Sequence, residues 1–207
     1  MEPLRVGNGD VDHAVSALRS GKPVVLPTDT VYGLCANPYR EEPVRRAYRL
    51  KGRDEQQPSA LLASDVDMLL ECVPELRGRV GAMLRVLLPA SVTLIVPNPA
   101  RRYRWLTGSR PETLGVRVPE LPPAAAAVLA RTGAVMATSA NEPGAPDPAR
   151  LEDVPEKLLA GCEAVVDGGE LPGVPSTVVD LTASEPVVVR EGAVPAADVL
   201  ERVRAAA

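Results

Sequence analysis

The sequence has no phenylalanine, one tryptophan, four tyrosines and one histidine among its 207 residues. So few rings argue against a nucleic-acid platform that stacks bases on successive aromatic side chains. A histidine-rich metal site is excluded because His13 stands alone, and a mechanism needing an imidazole has only that candidate. Cys35, Cys72 and Cys162 are odd in number, widely spaced and without a CxxC pair. They support neither a zinc ribbon nor a disulfide framework, and read as reduced, mostly buried thiols. Long hydrophobic runs are missing too. The nearly apolar stretch 122–130 falls far short of the ~18 residues of a membrane span. The opening MEPLRVGNGDVDHAV shows no signal-peptide core or cleavage pattern. A cytoplasmic protein with no membrane partner is expected.

What is present reads as globular. Hydrophobic residues make up 45% and charged residues 24%, which argues against a disordered or coiled-coil chain. The length suits one domain spanning 1–207. A net charge of −4 disfavours a globally basic nucleic-acid binder. The arginines are nonetheless clustered: Arg40, Arg45, Arg46, Arg49 and Arg53 lie with Lys51, and Arg101, Arg102, Arg104 and Arg110 form a second group. Such clusters are either solvated faces or a local anion-recruiting cleft. Arginine outnumbers lysine 20 to 3, which draws attention to each lysine retained.

Periodicity alternates along the chain. Val11, Ala14, Val15 and Leu18 form a helical stripe closed by Gly21. Further helices are expected over 41–50, 64–70 (opened by Ser64 with Asp67), 75–88, 124–130, 151–159 and 196–204. Strands are expected over 23–27, 59–63, 92–96, 114–118, 134–137, 163–166, 177–181 and 187–190. The interleaving predicts an α/β fold, and the short spacing after Leu171 predicts a mixed rather than wholly parallel sheet. The Gly/Pro-rich loops at 144–148 and 168–175 read as functional flaps rather than domain boundaries. Gly7-Asn8-Gly9 precedes a helix but follows no convincing strand, so it is not a dinucleotide fingerprint.

Four polar clusters fall where elements end: the stretch from Pro27 to Leu34, Lys51-Gly52-Arg53, Thr138-Ser139-Ala140-Asn141 and Pro175-Ser176-Thr177. Each alone has an ordinary structural reading as a turn, a charged helix end, a cap or a strand start. Together they describe a site built of cations and hydroxyls. Lysine and arginine hold phosphates, and hydroxyls and amides orient a small polar ligand. Such a set suits phosphoryl or nucleotidyl transfer, in which positioning and electrostatics do most of the catalysis.

The runs KPVVLPTDTVYGLCANP, AYRLKGR, TLGVRVPELP, ATSANEPG, DGGELPGVPSTVVDLT and VVVREGAV resemble, in order, the signatures of the YrdC-type threonylcarbamoyl-AMP synthase family over about residues 15–195. The resemblance implies an open, twisted sheet with a positive concave face, in the short single-domain branch. It implies synthesis of threonylcarbamoyl-AMP from ATP, L-threonine and bicarbonate with release of pyrophosphate, for the modification of adenosine 37 in tRNA. It assigns a catalytic tetrad to Lys51, Arg53, Ser139 and Asn141. Nucleotide contacts fall at Lys51, Arg53, Thr113, Thr138, Asn141 and Arg190. Threonine contacts fall at Thr30, Arg117, Ser139 and Ser176. Mg²⁺ is expected between the substrate phosphates, without a dedicated protein metal site. Partner proteins that carry the group to tRNA, and binding of tRNA or double-stranded RNA, are also implied.

Two segments depart from the family pattern. Leu88-Pro89-Ala90-Ser91-Val92-Thr93 replaces a Trp-Pro-Gly-Pro-x-Thr segment, and Gln57 stands where lysine or histidine is common. The rival readings are a YciO-like paralogue that binds nucleotide or RNA without synthase activity, carbamoyl-adenylate chemistry as in hydrogenase-maturation proteins, and a non-catalytic RNA-binding module.

Overall fold

Short runs of valine and leucine bury well between layers, and here they become the strands of a single sheet. The structure is a computed structural model that describes residues 8–206; Gly7 and the opening segment 1–7 lie outside the described residues. The strands are β1 (Val24–Pro27), β2 (Tyr32–Ala36), β3 (Ala60–Ala63), β4 (Val92–Pro97), β5 (Thr113–Arg117), β6 (Ala134–Ser139), β7 (Ala164–Val165), β8 (Thr177–Asp180) and β9 (Val187–Arg190). Their spatial order is β7-β1-β2-β6-β3-β5-β4-β8-β9. β1 runs parallel to β7, β3 to β5 and β4 to β8, and the other neighbours are antiparallel. This is the expected open, mixed α/β sheet.

The helices are α1 (Asn8–Arg19), α2 (Glu41–Lys51), α3 (Val66–Cys72), α4 (Arg79–Leu87), α5 (Pro123–Thr132), α6 (Glu156–Gly161) and α7 (Ala196–Ala206). Among the described residues, no helix is long and apolar enough to cross a membrane. The three cysteines are free thiols, with Cys35 and Cys72 buried and Cys162 partly so.

Four expectations need correction. β2 was not expected; its Tyr-Gly-Leu-Cys-Ala run has no polar–apolar alternation because all five residues are buried. The helix expected over 75–88 is a 3₁₀ turn at Pro74–Leu76 followed by α4, separated at Gly78 with φ 90°. Pro155, which cannot continue a helix from a preceding turn, likewise splits 151–159 into a 3₁₀ turn at Leu151–Asp153 and α6. Asp65, not Ser64, caps α3, accepting the amide of Met68 at 2.7 Å.

One face of the sheet is only half covered, and this places the site. Val24, Cys35, Ala137, Ala60, Gly115 and Ile95 form a continuous register row, so they share that face. Val24, Cys35 and Ala137 pack with α1 and α5 residues such as Leu18 and Val128. Beyond them no helix follows, and Ala60, Gly115 and Ile95 become a cavity floor. On the other face Met136, Leu61, Val116, Leu94 and Val179 are fully buried, in one cluster with α2, α3, α4, α6 and α7 residues. β4 records the difference: Val92, Leu94 and Val96 are buried while Thr93, Ile95 and Pro97 are only partly so.

Candidate active site

Thr28 shapes the turn joining β1 to β2. Its hydroxyl donates to the Val31 carbonyl at 2.7 Å and accepts from the amides of Thr30 and Val31 at 3.3 and 3.2 Å. These local bonds hold a compact turn that places Thr30 on the cavity wall. Behind it, the Tyr32 hydroxyl lies 2.9 Å from Asp167 Oδ1 and 2.8 Å from the Gly169 carbonyl, and accepts the Gly168 amide at 3.0 Å. The flap loops fasten to the same hairpin: the Tyr32 amide donates to the Pro148 carbonyl and the Gly173 amide to that of Thr30.

The Lys-Gly-Arg segment closes α2. Gly52 takes the left-handed conformation, φ 70°, that ends helices at little cost to glycine. Lys51 thereby stays on the helix while Arg53 turns away. Lys51 is buried; its Nζ donates to Asn141 Oδ1 at 2.7 Å, to the Ser139 carbonyl and, at 3.4 Å, to Ser139 Oγ. Ser139 Oγ donates to Asn141 Oδ1 at 2.6 Å, and Asn141 Nδ2 to the Ala145 carbonyl at 2.6 Å. Burial, reinforced by Arg53 and opposed by Asp147, pushes the Lys51 ammonium down to about 8. Arg53 donates to the Pro58 carbonyl at 2.6 Å and to Thr138 Oγ1 at 3.4 Å, while its Nε is buried without a partner.

Three more side chains come from the uncovered half of the sheet. Arg117 ends β5 and donates to Asp29 Oδ1 at 2.6 Å and to Thr30 Oγ1 at 3.4 Å. Burial lowers its affinity for its proton and Asp29 opposes this. Arg190, ending β9, donates to the Ser176 carbonyl at 2.8 Å and to Ser176 Oγ at 3.4 Å. Ser176 Oγ lies 2.8 Å from Thr93 Oγ1. Thr113 opens β5 and donates to the Arg110 carbonyl at 3.1 Å.

These groups surround one cavity of about 360 Å³. Thr30, Arg53, Thr113, Arg117, Thr138, Ser139, Ser176 and Arg190 line it. Lys51 and Asn141 do not; they stand one layer back, joined to it through Ser139. His13 is remote, 3.9 Å from Glu163 on the α1 side and absent from the wall. Neither departing segment reaches the cavity with its altered side chains. Leu88 is buried in the core cluster, Gln57 is exposed, and only the retained Thr93 of the first segment lines the wall.

The wall also holds residues to which no role had been given. Among the described residues Asp147 is the one carboxylate lining the cavity, and Asp29 is paired with Arg117. In the sequence Asp29 reads only as part of a polar turn at a strand end. The available signal was an acid embedded in a polar strand end, but its partner Arg117 is 88 positions away. No group of three or more His, Cys, Asp or Glu able to hold a metal occurs among the described residues.

Relatives share both sequence and architecture. The threonylcarbamoyl-AMP synthase of Halorhodospira halophila is 39% identical over 159 residues, covering 76% of this chain and 82% of the relative. That of Pyrococcus abyssi is 33% identical over 192 residues, covering 92% of this chain and 56% of the relative. The crystal structure of P. abyssi Sua5 with L-threonine superposes with a TM-score of 0.85 at 32% identity, covering 96% of this chain and 58% of the other. E. coli YciO superposes with a TM-score of 0.81 at 26% identity, covering 95% of each chain. The chain thus spans little more than half the length of the Pyrococcus proteins it matches. Residues 16–192 match the Sua5/YciO/YrdC family, described as "Telomere recombination", and the chain belongs to that family.

Proposed function

We propose that this chain is a cytoplasmic L-threonylcarbamoyladenylate synthase, joining L-threonine, bicarbonate and ATP with release of pyrophosphate. The observation that carries the reading is the convergence of Thr30, Arg53, Thr113, Arg117, Thr138, Ser139, Ser176 and Arg190, drawn from six separate stretches, on one cavity. L-threonine is the ligand of the similar P. abyssi structure.

In this reading the free threonine amine adds to the carbon of CO2, formed from bicarbonate by loss of hydroxide, and gives up one proton to water as the C–N bond forms, leaving N-carboxythreonine. The new carboxylate attacks the α-phosphorus of ATP, and pyrophosphate leaves with the bonding electron pair. Arg53 and Arg190, with Lys51 behind Ser139, balance charge on the phosphates. Arg117, Thr30 and Ser176 hold the amino acid, and Thr113 and Thr138 contact the nucleotide. No histidine is needed. Mg²⁺ would lower the charge of the triphosphate. The donor set fits an ion that keeps phosphate and water ligands, because Asp147 is the one carboxylate on the wall among the described residues. Transfer onto tRNA by partner proteins, and contact with tRNA or duplex RNA, belong to the same proposal.

The test is pyrophosphate release from ATP in the presence and absence of L-threonine and bicarbonate. Release that depends on threonine is expected. ATP binding without threonine-dependent release would overturn the reading in favour of a YciO-like paralogue.

A further inference from the structure

The cavity wall and the layer behind it carry positive groups of two kinds. Among the described residues Lys51, Arg53 and Arg190 form no ion pair; their partners are carbonyls, hydroxyls and an amide oxygen. Arg117 is paired with Asp29, at 2.6 Å, in side chains only 10% and 5% exposed. Arg110, on the wall beside Thr113, is paired with Asp180 at 3.1 Å. The cations proposed to meet the phosphates therefore have no carboxylate in direct contact, with Asp147 acting on Lys51 only at longer range, whereas the arginine proposed to meet the amino acid is directly paired.

The Arg117–Asp29 pair is also incomplete. It is held through one nitrogen and one oxygen. Asp29 Oδ2 and Arg117 Nε are both buried without partners. Among the described residues Arg117 Nη1 makes no hydrogen bond, and Arg117 lines the cavity. One arm of the guanidinium is committed to Asp29 and Thr30, and one is left for a ligand carboxylate. A lone buried arginine would attract any anion, including a phosphate of the co-substrate, because a guanidinium grips phosphate and carboxylate alike. Asp29 offsets the charge of Arg117 itself, and Arg190, which acts on Arg117 and grips Ser176, is the cation at the boundary with the phosphate end. Such a site suits a zwitterion, which brings one carboxylate and one ammonium, and disfavours a polyanion.

We propose that Asp29 is a specificity-determining residue: by neutralising and orienting Arg117 it reserves this end of the cavity for the zwitterionic amino acid and keeps phosphates at Arg53, Lys51 and Arg190. Asp29 is a positioning residue, acting on the ligand through Arg117. The inference rests on the function proposed above.

Isothermal titration of the intact protein with L-threonine, alone and in excess inorganic pyrophosphate, tests it with Asp29→Asn and Asp29→Glu. Wild-type protein is expected to bind L-threonine with or without pyrophosphate. In D29N, L-threonine affinity should fall tenfold or more, ATP affinity should stay within about twofold, and pyrophosphate should now displace L-threonine. D29E keeps the charge and should still resist displacement even where threonine binds more weakly. Equal loss of ATP and L-threonine affinity in D29N, or unchanged competition, would overturn the proposal. Should D29N not fold, the wild type decides: displacement of L-threonine by pyrophosphate refutes a neutral subsite, and resistance supports it. If the wild type binds no L-threonine at all, the functional reading fails and the proposal with it; binding without the D29N effects removes Asp29's role alone.

Discussion

At the scale of single residues, the central group is Lys51, a buried ammonium whose partners are neutral oxygens. Burial leaves it titrating near 8 rather than at its ordinary 10.5. Below about pH 8 the cation is present, and above it the phosphate end of the cavity loses one charge. Turnover should therefore decline as pH rises through about 8 in a pH–rate profile of pyrophosphate release. Stability moves the other way. Between about pH 8 and 10.5 the unfolded chain binds a proton that the folded chain has released, so this group's contribution to stability rises with pH in that window. Lys51→Ala should cut turnover by on the order of 10² or more, the scale of losing one electrostatic contact in a transition state. Its circular dichroism spectrum should remain that of the wild type, and unimpaired turnover would remove Lys51 from the mechanism. Thr30, Lys51, Arg53, Thr138, Ser139, Asn141 and Ser176 stand out in the sequence as polar side chains at element ends, where open sheets present ligand-facing groups, whereas Thr113, Arg117 and Arg190 are singled out by the family resemblance alone. Asp29 and Asp147 stand out in neither way. Their meaning depends on Arg117 and on the cavity, which local patterning does not carry across so many residues.

At the scale of elements, what was legible follows hydrophobic period, and what was not follows its interruption. β4 alternates and was expected; β2 is buried throughout and was missed. Gly78 and Pro155 divide stretches whose apolar spacing alone reads as continuous helix. The β1–β2 turn makes the dependence on local bonds testable. Thr28→Val keeps the shape but removes the hydroxyl that serves the Val31 carbonyl and two amides. The Val31 carbonyl keeps the Thr28 amide at 3.2 Å, but leaving the Thr30 and Val31 amides without the hydroxyl costs roughly 1–3 kcal/mol, readable as a lower urea midpoint. Because Thr30 sits in that turn, the KM for L-threonine should rise more than that for ATP. Two glycines give a sharper contrast. At Gly52 an added Cβ meets nothing within 4 Å, so Gly52→Ala bears only the left-handed backbone, roughly 1–2 kcal/mol. At Gly192 the added Cβ falls 2.1 Å from the Pro175 carbonyl oxygen and 2.7 Å from that of Ser176. Gly192→Ala must displace the segment that Arg190 grips, so L-threonine and ATP affinity should both fall, whereas G52A should leave both nearly intact.

At the scale of the whole molecule, one sheet divides the work between its faces. The face of Leu61, Leu94, Val116 and Val179 is packed beneath helices and supplies stability. The half of the other face that α1 and α5 leave bare supplies the cavity floor. Strand order could not be read in advance, since alternation reports which face a residue takes but not which strand lies beside it. The division predicts that stability and ligand response separate. A ligand that binds only the folded state stabilises it by RT ln(1 + [L]/Kd), about 2.7 kcal/mol at a hundredfold excess over Kd. For a chain of this size that corresponds to a rise in Tm of roughly 5–11 °C, at ~2–4 °C per kcal/mol. Leu94 is fully buried between two cavity-lining neighbours, Thr93 and Ile95, and points away from them. Leu94→Ala should cost roughly 2–5 kcal/mol as a core truncation, lowering the ligand-free Tm. The rise on adding ATP at the same multiple of Kd should be preserved, because the register of β4 with β5 and β8 holds the floor through backbone hydrogen bonds. Differential scanning calorimetry of both proteins with and without ATP measures the two quantities together. An ATP-induced rise that vanishes in L94A would show that packing on the covered face also shapes the site, and that the two faces do not act separately.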